Sequence, residues 1–448
     1  MRVFVLVSLI ATALATPALA EELSPERVKE IETFGVKWWK ARPKTKFEKW
    51  DSARRSELLA EARRFGAIPE GSLARVVAAL RKRLKKYGPK AKGGGKATIQ
   101  TPYGKAWFYA DATGKGKGLV LGLHGGGENA GSADEPRGKW RAKQCMGFYP
   151  QGIVLEHDTW NTVHGEKFIL TMIEIAKAQY DIDCDRVYSM GFSMGGTGSW
   201  FMAGRHPDLL AGSSPCAGVL MARPKSQVAS KDDVQVMMHG MLPNVRNLAM
   251  YYYIGLADVN CMPGTYLYAW DELQQLKKDD PGGYEKVRFK SYPGLAHAFP
   301  PGEPSAGIKW IEKQTRDTYP KKIVWESVSH PFPQAHAKDK TDRYVKRHFY
   351  WVKIEQPADM MLITASRDGN QIDVDLSGED KQQLTVFLNP EMIDVSRDVV
   401  VKIDGDEVYR GKPRPDFVTV LETFDARLDK RLTFDRRVSF EAPATATD

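Results

Sequence analysis

Residues 187–205 confine this chain to few folds. An apolar run, Val187-Tyr188-Ser189-Met190, meets Gly191-Phe192-Ser193-Met194-Gly195-Gly196 and continues into residues with helical spacing. A strand that turns into a helix this abruptly needs glycine on both sides of the apex, because only a residue without Cβ lets the backbones approach so closely. The serine at the apex then stands exposed at a helix N-terminus. Such an elbow belongs on a mainly parallel sheet flanked by helices, an α/β class.

Three further segments agree with that sheet. Leu119-Val120-Leu121-Gly122-Leu123 reads as a buried parallel strand and runs into His124-Gly125-Gly126-Gly127, a loop whose backbone can approach a substrate oxygen. Residues 248–255 read as another strand, followed two residues later by Asp258. Residues 287–292 read as a third and precede Pro293-Gly294-Leu295-Ala296-His297. Asp232, Asp233 and Asp271 compete for the acid, and His206 and His239 for the imidazole. Position directly after a strand favours Asp258 and His297, whereas His206 sits at a helix end and His239 in an irregular insert spanning 219–247.

The resulting order, Ser193, Asp258, His297, is the one an α/β-hydrolase imposes, since the three groups follow successive strands of one sheet. With the segments Leu123-His124-Gly125-Gly126-Gly127, Asp185-Arg186-Val187-Tyr188, Gly255-Leu256-Ala257-Asp258 and Gly294-Leu295-Ala296-His297-Ala298-Phe299 added to the elbow, residues 98–320 resemble secreted α/β-hydrolase esterases of the polyhydroxybutyrate depolymerase and feruloyl esterase group. The resemblance implies hydrolysis of a carboxylic ester on a polysaccharide, aromatic acid or polyester.

The chemistry expected of these residues is nucleophilic. His297 would take the Ser193 proton during attack, and Asp258 would orient the imidazole. The backbone N–H groups of Met194 and Gly126, with Gly127 as a third choice, would face the developing oxyanion. Trp160, Phe192 and His124 are candidates for contact with substrate, although His124 also suits a role in holding its glycine loop. His330, His336 and His348 lack metal-ligand spacing, and neither a metal nor a cofactor is implied. Two other readings stay open: a serine peptidase of the prolyl-oligopeptidase kind, and a silent binder of envelope or polymer. No propeller-like repeat precedes the hydrolase segment, which counts against the first.

Around that segment the chain divides into further parts. Residues 1–20 have the basic, apolar and small-residue sections of a cleavable export signal, so a secreted or periplasmic mature chain would begin near Glu21. The formal charge of +9 is concentrated between residues 21 and 96, which hold about 21 basic and 10 acidic side chains. Helices are expected at 25–41, 51–65 and 71–87, forming a basic arm that ends in a flexible linker at 90–96. Contact with an anionic envelope or polysaccharide suits this arm better than nucleic acid, for which no signature motif is present. Oligomeric state is not legible.

Within residues 97–320, paired strands at 97–101 and 106–110, a strand at 152–156, a helix at 164–180 and a strand at 209–212 complete the expected α/β pattern. From 321 to 448 the period shortens to two, with strand signals at 344–355, 361–365, 371–376, 384–388, 399–403 and 418–422 separated by Asp-Gly and Asn-Pro turns. A C-terminal β-sandwich is the economical reading, similar to domains appended to some secreted bacterial hydrolases. Export permits disulfides. The strand-end placement of Cys216 and Cys261 favours that pair, leaving Cys145 with Cys184.

Overall fold

Ser24 opens the first helix as its position before a proline requires: its hydroxyl accepts the Arg27 N–H at 3.2 Å, with Pro25 beginning the helix. In the computed structural model, residues 22–89, 95–111, 118–126, 131–152, 160–219, 242–327, 344–358, 361–377 and 384–440 are described. The export signal, most of the 90–96 linker, Gly127, residues 153–156, Asp232, Asp233, His239, His330 and His336 lie outside them.

Helices α1 (Pro25–Ala41), α2 (Ser52–Arg63) and α3 (Leu73–Arg81) begin the described chain. On α3, Val76, Val77 and Leu80 turn inward while Arg75 stays exposed, the stripe a helical period demands. The three helices do not stand apart from the rest. Phe34, Trp38, Trp39 and Leu58 share one apolar cluster with Phe417, Val420, Leu421 and Phe424 from near the C-terminus. Part of the basic surplus is structural, too: Arg42 is buried and pairs with Glu174 at 3.1 Å and Asp425 at 2.7 Å.

The main sheet follows. Its elements are β1 (Lys96–Thr101), β2 (Gly104–Asp111), β3 (Gly118–Leu123), α4 (Asp134–Lys139), β4 (Cys145–Gln151), α5 (Val163–Gln179), β5 (Val187–Phe192), α6 (Met194–Arg205), β6 (Gly212–Cys216), β7 (Ala249–Gly255), α7 (Pro263–Asp279), β8 (Val287–Tyr292) and α8 (Glu303–Ile311). The eight strands lie in the order β1-β2-β4-β3-β5-β6-β7-β8. β1 with β2 and β2 with β4 are antiparallel, and every other neighbouring pair is parallel. This is the α/β-hydrolase fold. The buried faces of β3 and β5 explain their continuous apolar runs, since a parallel strand covered by helices on both sides has no wet face.

One strand was not expected and another sits away from its expected place. β4, at 145–151, is the unexpected one, because its Gly147 and Pro150 are residues that normally mark a strand's end; the strand expected at 152–156 falls, apart from Gly152, outside the described residues. Pro150 is tolerated because β3 pairs with β4 only as far as Phe148, so no ladder bond to β3 is lost at Pro150. β6 begins at Gly212 and reads Gly-Ser-Ser-Pro-Cys. Small residues fit there because Ile311 of α8 presses on Gly212 and Ser189 of β5 bonds Ser213 at 2.8 Å.

Beyond it, β9 (Lys322–Glu326), β10 (His348–Phe349), β11 (Val352–Ile354), β12 (Leu362–Asp368), β13 (Gln371–Ser377), β14 (Leu384–Leu388), β15 (Val399–Ile403), β16 (Asp406–Gly411), α9 (Phe417–Arg427) and β17 (Arg436–Phe440) build two sheets, ordered β10-β11-β14-β17 and β16-β15-β13-β12-β9. Their inner faces, including Trp325, Trp351, Ile363, Val374 and Val386, form a sandwich core continuous with that of the main sheet. Residues 418–422, expected as a strand, belong to α9. Asp416 caps this helix by accepting the Thr419 N–H at 2.9 Å, and the spacing of Phe417, Val420, Leu421 and Phe424 puts all four on the face that receives the N-terminal helices.

A buried ionic seam fastens this region to the main sheet. Asp429 accepts from Lys177 at 2.7 Å and from Arg316 at 3.0 Å, and Arg316 reaches Asp185 at 2.7 Å. The expected disulfides are absent: Cys145, Cys184, Cys216 and Cys261 are buried free thiols. Cys145 interacts with Glu312 and Arg186, whereas Cys184 lies beside Asp429 and Lys177, so these two face different surroundings. Cys216 and Cys261 do come close enough to influence one another, without a bond between them.

Candidate active site

β5 ends at Phe192 and α6 begins at Met194, so Ser193 makes the whole turn. Its φ of 55° and ψ of −120° lie in a region a side chain rarely occupies. Crowding on both sides holds it there. A Cβ on Gly191 would stand 2.0 Å from the Gly195 carbonyl oxygen, and one on Gly195 would stand 2.0 Å from that of Leu123. The Ser193 N–H donates to the Cys216 carbonyl at 2.9 Å, tying the apex to the end of β6. Its hydroxyl makes no capping bond to α6.

Instead the hydroxyl meets His297 Nε2 at 2.9 Å, and His297 Nδ1 meets Asp258 Oδ2 at 2.8 Å. Asp258 follows β7 and His297 follows β8, so neighbouring parallel strands deliver both groups to the same sheet edge as the elbow. The Asp258 side chain is fully buried, and its other oxygen accepts the N–H groups of Asn260 at 2.8 Å and Cys261 at 3.0 Å. With its carboxylate so held, the Nδ1–H tautomer of His297 is favoured, leaving Nε2 to accept from the serine. Phe192 stacks on the imidazole with ring centroids 4.9 Å apart and on Phe299 at 4.2 Å. Asp271 lies exposed on α7, and His206 lies at the far end of α6, bonded to Glu166 at 2.7 Å. Neither joins the group.

Of the expected oxyanion donors, Met194 is the first residue of α6, so its N–H has no acceptor within the helix. The loop after β3 lies against the serine: a Cβ on Gly125 would be 3.3 Å from Ser193 Cβ. Gly125 itself donates its N–H to Glu135 at 3.3 Å, and Gly126 adopts a φ of 78°.

His124 holds this loop and does not offer a surface. It is buried, its Nδ1 contacts the Gly125 carbonyl at 2.9 Å, and its Nε2 accepts the Gly152 N–H at 2.9 Å. Burial lowers its pKa below the ordinary histidine value, against a smaller opposing effect of the Gly125 carbonyl, in keeping with a neutral ring. Trp160 is equally buried, donates to the His124 carbonyl at 3.0 Å and packs edge-on against its ring. Both were expected to contact substrate, but both are buried and bonded to the loop itself. Among the described residues, Asp258, Cys261 and His297 present possible metal ligands within 4.8 Å of one another, but two of those three ligands are already joined to each other.

A group that sequence reasoning missed is Glu303, a lone acid at the start of α8 with no motif around it. It is 3% exposed and accepts from Tyr251 of β7 at 2.7 Å, from Lys290 of β8 at 2.6 Å and from the Tyr292 hydroxyl. Burial alone would raise its pKa, but Lys290, Tyr292 and Tyr251 hold it below the usual carboxylate range. Tyr292 and Glu303 bracket the loop that carries His297, so this contact closes the loop at its base. Glu303→Gln should therefore lower kcat for ester hydrolysis by about 10- to 100-fold with KM nearly unchanged, the pattern of a displaced imidazole, as steady-state kinetics would show.

No family model matches this chain, and no curated protein is similar to it in sequence. Solved structures do match about half of it. A thermostable esterase is 21% identical with a TM-score of 0.35, the match spanning 49% of this chain and 62% of that one. An S-formylglutathione hydrolase from Agrobacterium tumefaciens is 14% identical with a TM-score of 0.37, over 50% of this chain and 97% of that one. An acetyl xylan esterase from Aspergillus awamori is 14% identical with a TM-score of 0.36, over 49% and 99%.

Proposed function

We propose that this protein is a serine esterase that cleaves a carboxylic ester through an acyl-enzyme. The observation that carries this reading is the unbroken chain from Ser193 through His297 to Asp258, at 2.9 and 2.8 Å, on a strained elbow. As the Ser193 oxygen attacks the ester carbonyl, its proton passes to His297 Nε2, and Asp258 stabilises the imidazolium. The tetrahedral oxyanion lies toward the N–H groups of Met194 and Gly126, the Gly125 N–H being engaged by Glu135; each such donor is worth about 3 to 4 kcal/mol in comparable sites. His297 then protonates the departing alcohol, and water reverses the sequence to release the acid.

The surface beside Asp258 favours an apolar part of the substrate. On the loop that carries Asp258, Val259 is 90% exposed and Leu256 40% exposed. An aromatic-acid or polyester substrate fits that surface, and the resemblance to the depolymerase and feruloyl esterase group guides the same choice. A fluorophosphonate probe should label the protein at Ser193, and matched chromogenic substrates should show ester turnover well above amide turnover. Labelling elsewhere would reject the assignment, amide preference would favour a peptidase, and no labelling would favour a silent binder.

We further read residues 1–20 as a cleaved export signal, which places the mature protein outside the cytoplasm. N-terminal sequencing of the exported protein should begin near Glu21. No helix among the described residues is long and apolar enough to cross a membrane.

A further inference from the structure

At the end of α6 opposite Ser193, about 18 Å away for a helix of 12 residues, a cavity of about 220 Å³ lies where three parts of the chain meet. Lys46 reaches it from the N-terminal helices, Glu174 and Asp208 from the main α/β region, and Lys346, Arg347 and Arg427 from the C-terminal region. Val345 and Arg347 are exposed at its rim. A water's share of liquid volume is about 30 Å³, so there is room for a small ion with part of its hydration.

Charge in this cavity is unbalanced. Four lining cations face two lining carboxylates, both already engaged, and only Arg347 finds a further acid, the exposed Glu355 at 3.9 Å. Glu174 pairs with Lys46 at 2.5 Å and with Arg42 at 3.1 Å, while Asp208 pairs with Lys346 at 2.5 Å and Arg427 at 3.2 Å. Lys346 has one more neighbour, His206 Nδ1 at 3.3 Å. Burial, with Lys346 next, brings the His206 pKa down to about 4, so its neutral ring accepts from the ammonium and removes none of the positive charge.

Two polar atoms at this wall are buried without a partner. Arg427 is 7% exposed and donates through its terminal nitrogens to Asp208, Tyr350 and Leu432, yet its Nε–H meets nothing. His348 Nε2 is likewise buried and unpartnered. A buried guanidinium N–H left unmatched in a cationic pocket marks a place for an acceptor that carries negative charge, to which His348 also donates in its Nε2–H tautomer.

We propose that this cavity is an anion-binding site, taking a small oxyanion of the phosphate or carboxylate class between Lys346, Arg427 and His348. The occupant neutralises the surplus charge and fastens the N-terminal helices, the α/β region and the C-terminal sandwich to one another. This assignment does not depend on the esterase reading.

The test is thermal unfolding of the full chain in a zwitterionic buffer, titrated with inorganic phosphate or with acetate against sodium chloride at equal ionic strength. Binding to the native state alone should raise Tm saturably, by about 2 °C or more, with phosphate or acetate and not with chloride. The more effective of the two identifies the class. Lys346→Met, which leaves Asp208 paired with Arg427, should weaken apparent affinity at least tenfold by calorimetry. Arg347→Ala, at the exposed rim, guards against a folding defect and should weaken it several-fold. Equal shifts with all three salts would overturn the proposal, as would an affinity that both variants leave intact.

Discussion

Ser193→Ala is expected to reduce ester turnover by about 10⁵-fold while leaving the fold intact. Its hydroxyl is the only group in the elbow placed to attack, and nothing structural depends on it: the Ser193 N–H, not its side chain, makes the bond to Cys216, and the hydroxyl does not cap α6. Residual activity would come from substrate binding and oxyanion donation. Asp258→Asn should cost about 10⁴-fold, because an amide can donate to Nδ1 and so favours the tautomer that cannot accept the serine proton. Steady-state assays with a chromogenic ester measure both. A Ser193→Ala protein within tenfold of wild type would rule out the mechanism.

The largest effect on stability is expected from Asp429→Ala. The carboxylate is the common partner of Lys177 and Arg316, and its own side chain and that of Lys177 are fully buried. Removing it leaves two cations away from water, with Arg316 keeping Asp185 as its one carboxylate and the Asp208 carbonyl at 2.8 Å. Breaking buried pairs of this kind costs about 3 to 5 kcal/mol, and here two are broken at once. Burial alone would raise the Asp429 pKa, but Arg316 and Lys177 hold it well below the ordinary aspartate value. A depressed native pKa contributes stability that is fully present above the unfolded value of about 3.9 and is lost as pH falls toward the native one. The acid limb of the stability curve should therefore be shallower in Asp429→Ala than in wild type. Denaturant unfolding across pH 2 to 7 would show it, and an unchanged midpoint at neutral pH would refute the role given to the seam.

Much of the main sheet was legible because its strands obey one rule. Residues 119–123, 187–190 and 287–292 announce themselves by apolar or alternating runs, and the elbow glycines announce the turn. β4 was overlooked and β6 misplaced because Gly147, Pro150 and the small residues of β6 satisfy packing against particular neighbours, which a single strand's composition does not display. Residues 418–422 show the same limit from the other side. A short apolar run satisfies strand and helix alike, and Asp416 as cap together with the cluster of aromatic residues from α1 decides for the helix.

For the site, chain order and strand ends were enough to single out Ser193, Asp258 and His297, since a parallel sheet carries its loops to one edge whatever lies between them. Contacts made by side chains far apart in sequence were not. The burial of His124 and Trp160 against the glycine loop, the closing of the His297 loop by Glu303, and the union of Asp429 with Lys177 and Arg316 depend on distances between segments, and no local pattern encodes those. The amino-acid order by itself determined the α/β architecture and the three groups of the candidate triad, through backbone sterics at glycine and the periodicity of buried strands. Tertiary packing alone decided which polar residues serve the site and which join the ionic seam, because the cost of burying a charge or a ring nitrogen is set by the neighbours it finds.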